Sequence, residues 1–291
     1  MCIRDRQLVP IDPITYLIPP DMVSNTEQVE KLRVQMGLNK PLLERYFLWI
    51  KDILRGNFGY SIVSGTSILS IIKQTLPATF ILAFTALVIS TVLGIIIGII
   101  AAIKQNGIVD NVVRFFSVLG TATPSFFFGI LLLNIFAIKF KLLPISGRYS
   151  STYTPIEHLI LPSLTLSLAL ISALMRYTRN SILDIAQKDY VKTARAKGIP
   201  EYKVYLKHIF KNALRPILVL LIFRIPLLVG GSVIIENIFS WPGIGRVMLE
   251  SITAGDYPVI MITTLMVAFV MLLCSLLVDI ALALIDPRIR Y

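Results

Sequence analysis

Five apolar runs, each about the length needed to cross a bilayer, constrain this chain more than anything else in it. They cover roughly 77–103, 115–138, 158–175, 214–235 and 257–285, and a helix needs about 20 mostly apolar residues to span the hydrocarbon core. Charged or turn-forming segments bound each run, and the first three carry no formal charge. A chain that is 55% hydrophobic and 15% charged, with a mean hydropathy of +0.76, is too apolar for one soluble core. A transmembrane β-barrel would show alternating stretches of about ten residues instead. The expected fold is all-α, a polytopic membrane helical bundle with five spans.

The formal net charge of +11 is concentrated rather than spread. Residues 176–215 hold ten Lys or Arg against three acids, which marks a cytoplasmic loop by the positive-inside rule and not a nucleic-acid surface. Alternation then places residues 1–76 outside. It also places the loop 236–256 outside, with Glu236, Glu250 and Asp256 against Arg246, and leaves the tail "DPRIRY" inside. The opening "MCIRDRQLVP" has no apolar core to act as a signal peptide. The expectation is that a first membrane helix is missing and that these residues are not native. Cys2 and Cys274 are far apart in sequence and imply neither a disulfide framework nor a paired-Cys metal site.

Two regions follow: 1–76, an extracytoplasmic region with short helices, and 77–291, a transmembrane domain carrying the cytoplasmic loop 176–215. In the first, "SNTEQVEKLRVQMGL" predicts a helix capped by Ser24 with Glu27 closing a capping box. "LLERYFLWIKDIL" predicts a second helix. In the second region, Pro124 in "GTATPSFFFG" predicts a bend or break in its span. Pro162 is expected in the first turn of the next span. Gly94 and Gly98 form a G-x-x-x-G pattern that would allow close helix approach, or stand so by chance.

The basic segment "KTARAKGIPEYKVYLKHIFKN" reads as helix, break, helix between two spans. Lys188, Lys192 and Arg195 share one face of the first helix, with Tyr190, Val191 and Ala194 opposite. Gly198 is placed to end it, and Pro200 to open the next helix at its first position. That helix carries Lys203, Lys207, Lys211 and Arg215 at four-residue spacing, and Tyr202, Tyr205, Leu206, Ile209, Phe210 and Ala213 on its other face. Two readings fit: interfacial helices on anionic headgroups, or a docking element with an apolar wedge and a basic rim.

The stretch "DYVKTARAKGIPEYKVYLKHIFKNALRP" resembles the cytoplasmic loop of the permease subunits of ABC importers, in its peptide-transporter version. The peptide-transporter pattern Tyr-Val-x-Thr-Ala-Arg-Ala-Lys-Gly is met by Tyr190, Val191, Lys192, Thr193, Ala194, Arg195, Ala196, Lys197 and Gly198, although the Glu that opens the general importer motif is absent. "TPSFFFGILLL" with "LLPISG", "HLILPSLTLSLALISALMRYTRNSIL", "ENIFSWPGIGR" and "DPRIRY" resemble the same family in the same order. "LVPIDP" is similar to a stretch that directly follows the first membrane helix of relatives, with Ile11 in place of a Gly. The resemblance implies a type I importer permease fold with six spans in relatives, and residues Tyr190–Gly198 as the element that docks on an ATPase. It also implies a second homologous permease subunit, two ATP-binding subunits, an extracytoplasmic solute-binding protein and surrounding membrane lipid as partners. The location implied is a bacterial or archaeal cytoplasmic membrane. The cargo implied is peptide, with nickel or glutathione as the alternative, and alternating access as the mechanism.

The residues themselves supply no chemistry of their own. No Gly is followed by Lys, so there is no Walker A pattern. His158 and His208, the two histidines, fall on opposite sides of the membrane. No catalytic, cofactor-binding or metal-ligating residue is assigned, and the chain is expected not to be an enzyme. A channel without ATP dependence is the rival class, and a membrane-embedded enzyme a weaker one. Arg224, in "LVLLIFRIPLLVGG", stands near the middle of a span, where a charge costs about 2.5–3.5 kcal/mol on insertion scales. It faces either a translocation path, with Pro124 also on that path, or an acid of a partner subunit. Snorkelling outward is the remaining reading.

Overall fold

The computed structural model describes residues 41–285. The helix expected from Ser24 and the tail "DPRIRY" lie outside the described residues. The chain forms two compact units: Met1–Thr75 with Val247–Met266, and Leu76–Arg246 with Val267–Tyr291.

The first unit contains α1 (Leu42–Leu54), which coincides with the helix predicted from "LLERYFLWIKDIL". After it, the chain folds a tight loop in which Ser61 N–H donates to the Thr66 carbonyl at 2.9 Å and Tyr60 pairs with Ser67 in an isolated antiparallel bridge. Asp256 holds this loop from the other segment of the unit. Its carboxylate accepts from the Ser61 hydroxyl and, at 3.2 Å, from the Ile62 N–H. Ser61 and Asp256 are both buried, so the loop is anchored by a satisfied polar contact rather than by an apolar core.

The remaining helices are α2 (Ile68–Ile103), α3 (Ile108–Ala122), α4 (Ser125–Leu132, running on as a π-helical stretch Leu133–Lys139), α5 (Pro155–Ala186) and α6 (Asp189–Ala196). A short α7 (Glu201–Lys203) leads through a second π stretch, Val204–Phe210, into α8 (Lys211–Gly231). Then come α9 (Val233–Ile238), α10 (Ile244–Ala254) and α11 (Tyr257–Ile285). Among the described residues three helices are long and apolar enough to cross a membrane: Ile68–Ile103, Pro155–Ala186 and Tyr257–Ile280. The count becomes four if the bent pair Ile108–Ala122 and Ser125–Lys139 is one span. The protein is therefore an all-helical membrane protein with three or four such spans.

The predicted break at Pro124 is present, and it is sharp: the two helices meet at 104°. Thr123, forced out of the helical region by the following proline, has φ −91° and ψ 130°. Pro162 differs from expectation. Pro155 occupies the first turn of α5, behind a capping box in which Thr154 and Glu157 satisfy each other's backbone N–H groups, and Pro162 sits buried inside the helix. Helix α5 is the axis of the second unit, with two thirds of its apolar window buried. Close approach needs small residues on its neighbours. A Cβ added at Gly94 would meet Leu174 at 2.8 Å, one at Gly98 would meet Thr178 at 2.6 Å, and one at Gly120 would meet Ser172 at 2.0 Å. The G-x-x-x-G of α2 is thus a packing seam against α5.

Two apolar clusters form the core of this unit. One gathers Ala78, Leu82, Ala86, Leu161, Leu166, Leu228, Phe239 and Trp241 among others. The second gathers Ala102, Leu174, Ile182, Val191, Ala194, Val204, Ile209, Ala213 and Ile217. Residues 236–256, expected as an acidic external loop, are instead mostly helix, and two of the three acids are buried. Glu236 is fully buried. Its carboxylate accepts from the Thr79 hydroxyl (2.7 Å), the Ser232 hydroxyl (2.9 Å), Gly245 N–H (2.8 Å) and Arg246 N–H (3.2 Å). Four donors offset the desolvation of the charge. Thr79 also accepts the Ile244 N–H at 2.9 Å, and Trp241 Nε1–H donates to the Ala78 carbonyl at 2.9 Å. The segment "ENIFSWPGIGR" is thereby stitched to α2.

Candidate functional site

Helix α5 ends at Ala186, and after Lys188 turns extended (φ −69°, ψ 146°) the chain enters α6. Lys192 Nζ bonds Asp189 Oδ1 at 2.9 Å within its first turn, and this hydrogen bond holds the Asp189 carboxyl below its usual range. The far end closes as a Schellman motif. Gly198 has φ +76°, its N–H donates to the Arg195 carbonyl at 2.9 Å, and the Ile199 N–H donates to Ala194 at 3.3 Å. This is the role expected of Gly198. Pro200 is displaced by one position from expectation: it is the N-cap, with ψ 137°, and Glu201 opens the next helix. Across the corner Arg195 grips Glu201, with Nη2 to Oε1 at 2.7 Å and Nε to the same oxygen at 3.2 Å. The hydrogen bond to Glu201 raises the Arg195 pKa. An exposed pair of this kind adds little stability, but it fixes the angle between the two helices.

The nine residues singled out here separate into two sets. Val191 and Ala194 are buried and pack into the second core cluster of their own chain. Tyr190, Lys192, Thr193, Arg195, Ala196, Lys197 and Gly198 are exposed. The second helix also departs from its expected face. Tyr202 and Leu206 are 62% and 65% exposed, whereas Val204, which the spacing argument left out, is fully buried. The cause is the π stretch. The inward residues are Val204, Ile209, Ala213 and Ile217, at intervals of five, four and four. The wider π turn keeps Val204 and Ile209 on one side, whereas an α-helix would rotate them apart. The corner therefore shows a rigid outer surface of Tyr190, Thr193, Arg195, Ala196, Tyr202 and Leu206, continuous through α7 and the π stretch with α8.

A second feature lies deeper in the bundle. Arg224 of α8 lines a narrow cavity with Leu87 and Ser90 of α2, Leu170, Ala173 and Leu174 of α5, and Leu220 and Leu221 of its own helix. Pro124 is not beside it. The helix before Pro124 meets α5 at Ser172, whereas Leu170 and Leu174 lie on the far side of α5 from Ser172, at about 100° per residue.

A buried ion pair was not read from the sequence. Asp110, fully buried at the start of α3, accepts from Arg179 of α5 through Nε at 2.5 Å and Nη2 at 2.7 Å. It also accepts the Asn106 N–H at 2.9 Å, which fixes the turn between α2 and α3. The partners are 69 residues apart and share no local motif.

The sequence profile of the family described as "Binding-protein-dependent transport system inner membrane component" matches residues 94–291, and this chain belongs to that family. It is an inner-membrane multi-pass permease component and not the ATPase of such a system, which works with ATPase and binding-protein partners. The chain is 36% identical over 288 residues to the oligopeptide transport system permease protein AppB of Bacillus subtilis (strain 168), covering 97% of this chain and 90% of that one. It is 36% identical over 284 residues to the glutathione transport system permease protein GsiC of Escherichia coli (strain K12), covering 98% of this chain and 90% of that one. Its fold is similar to that of a chain of the MetNI methionine ABC transporter in an inward-facing conformation. The TM-score is 0.62 at 14% identity, over 75% of this chain and 97% of the other.

Proposed function

We propose that this chain is a membrane-spanning subunit of an ATP-driven peptide importer and moves peptides, delivered by a solute-binding protein, by alternating access. Relatives named for oligopeptides and for glutathione support a peptide cargo. A second homologous permease and two ATP-binding subunits complete the complex. Helix α8 with α9 is a further span, the fourth of five in chain order, in a type I importer arrangement. The basic corner faces the cytoplasm and residues 57–67 face outside. Arg224 lies on the translocation path, and Pro124 serves as the joint of the bent span.

The observation that carries the reading is the corner. A Schellman turn, an Arg195–Glu201 clasp and a buried Val191–Ala194 underside make α6 a solid body, and its outer face leaves Tyr190, Tyr202 and Leu206 uncovered. Exposed aromatic and aliphatic side chains on a fixed element are a docking surface. Closure of two ATPase subunits would pull on it and move α8 as a rigid body. Ala196→Glu places a charge on that face without touching the core. In proteoliposomes it should abolish ATP-driven peptide uptake or co-purification of the ATPase. Native uptake by this variant would refute docking at the corner.

A further inference from the structure

Resting on the importer reading, we propose that Arg224 is a transient receiving site for the carboxylate of the transported peptide. Four observations carry this. First, the residue has no hydrogen-bond or ion-pair partner among the described residues, whereas the other deep cluster of charge, Asp110 with Arg179, is fully satisfied. Second, the residue stands midway along its run of helix. Counting along α8 and α9 from Lys211 to Ile238, Arg224 lies about 20 Å from each end at 1.5 Å per residue.

Third, it faces the bundle. The cavity it lines is formed by α2, α5 and α8. Fourth, the cavity occupies the seam between the two apolar cores. Leu87 and Leu170 pack with the Ala78–Trp241 cluster, and Leu174, Leu220 and Leu221 with the Ala102–Ile217 cluster. The lining is otherwise apolar except for Ser90, whose hydroxyl is already donating to the Leu87 carbonyl at 3.0 Å. A cation in so apolar a notch attracts an anion strongly, and the planar fork of Arg selects a carboxylate by two parallel hydrogen bonds. The notch has room for about one water molecule, so only the end of a peptide, and not a whole peptide, would enter it. With one cation and no second polar donor free, the grip is brief, as passage requires.

The test uses the complete importer with its ATPases, purified in detergent and in proteoliposomes. An α-dicarbonyl reagent modifies arginines, and mass spectrometry of the fragment containing Arg224 reads that site alone. A free-carboxylate peptide should slow modification of Arg224 by about tenfold, the size of one charged hydrogen-bonded contact, and its C-terminally amidated twin should not. In proteoliposomes Arg224→Gln should lower the free-acid to amide uptake ratio by a similar factor, and Arg224→Lys should retain part of it. Equal protection by the two peptides overturns the proposal. So does an Arg224 that resists the reagent with no peptide present, since that is the signature of an acid standing opposite it in the second permease. ATP-driven uptake by the wild-type complex is measured in the same preparation. Its loss, unlike either of those outcomes, counts against the importer reading itself.

Discussion

Glu236 and Gly243 lie so close that a methyl group on the glycine would come within 2.3 Å of the Glu236 carboxyl carbon. The buried carboxylate and the missing side chain are one design: the loop through Trp241 can fold over the acid only because nothing projects from Gly243.

Gly243→Ala should therefore destabilise the protein by about 1–3 kcal/mol through overpacking. Thr79→Val should cost a similar amount, about 1–3 kcal/mol, because it leaves the buried Ile244 N–H without its acceptor and Glu236 Oε1 with only the Ser232 hydroxyl as donor. Thermal unfolding of the detergent-solubilised protein measures both, and an unchanged midpoint for either variant would contradict the network.

Ala194 and Ala196 are two residues apart and should fail in different ways. Ala194 is buried against the chain's own core and Ala196 is exposed. Ala194→Glu is expected to open α6 to limited proteolysis, while Ala196→Glu leaves the digestion pattern native and loses only the ATPase. Identical digestion patterns for the two variants would show that α6 does not face as described.

Removing one member of the Asp110–Arg179 pair leaves a buried charge behind. Arg179→Gln should cost about 3–5 kcal/mol, and Asp110→Asn with Arg179→Gln together should cost less than their sum. A double-mutant cycle on unfolding midpoints reads the coupling. Strict additivity would mean the pair is not formed in the membrane.

Orientation can be checked with single cysteines placed in a background free of Cys2 and Cys274. Thr253 and Lys203 are both exposed. A cysteine at Thr253 should react with an impermeant thiol reagent added outside intact cells, and one at Lys203 only after the inner face is opened. Ser251, though a neighbour, is buried and a poor probe.

The features read correctly from sequence were those set by local chemistry. Uncharged apolar runs gave α2 and α5, the proline at 124 gave the break, and the glycine at 198 gave the left-handed stop. The features missed depend on partners distant in sequence or on an unusual helix. Glu236 looked like a loop acid because its donors are Thr79, 157 residues earlier, and the N–H groups of the following turn. Asp110 and Arg179 offered no spacing to recognise. Val204 falls off the apolar face at 3.6 residues per turn and joins it only because the chain takes a wider turn there. Regular helical spacing also put Tyr202 and Leu206 on one face with Ile209 and Ala213, whereas the first two are exposed and the last two buried.

The wide turn between Val204 and Ile209 also sets how this stretch tolerates changes of length. In a regular α-helix of the bundle, losing one residue would turn all that follows by about 100° and face its apolar side the wrong way. Here the loss of Leu206 or Lys207 would leave Val204 and Ile209 four residues apart, the interval an ordinary α-helix needs to keep both facing inward. A single deletion at this point would therefore relax the backbone into regular helix and leave every later residue of α8 facing as before.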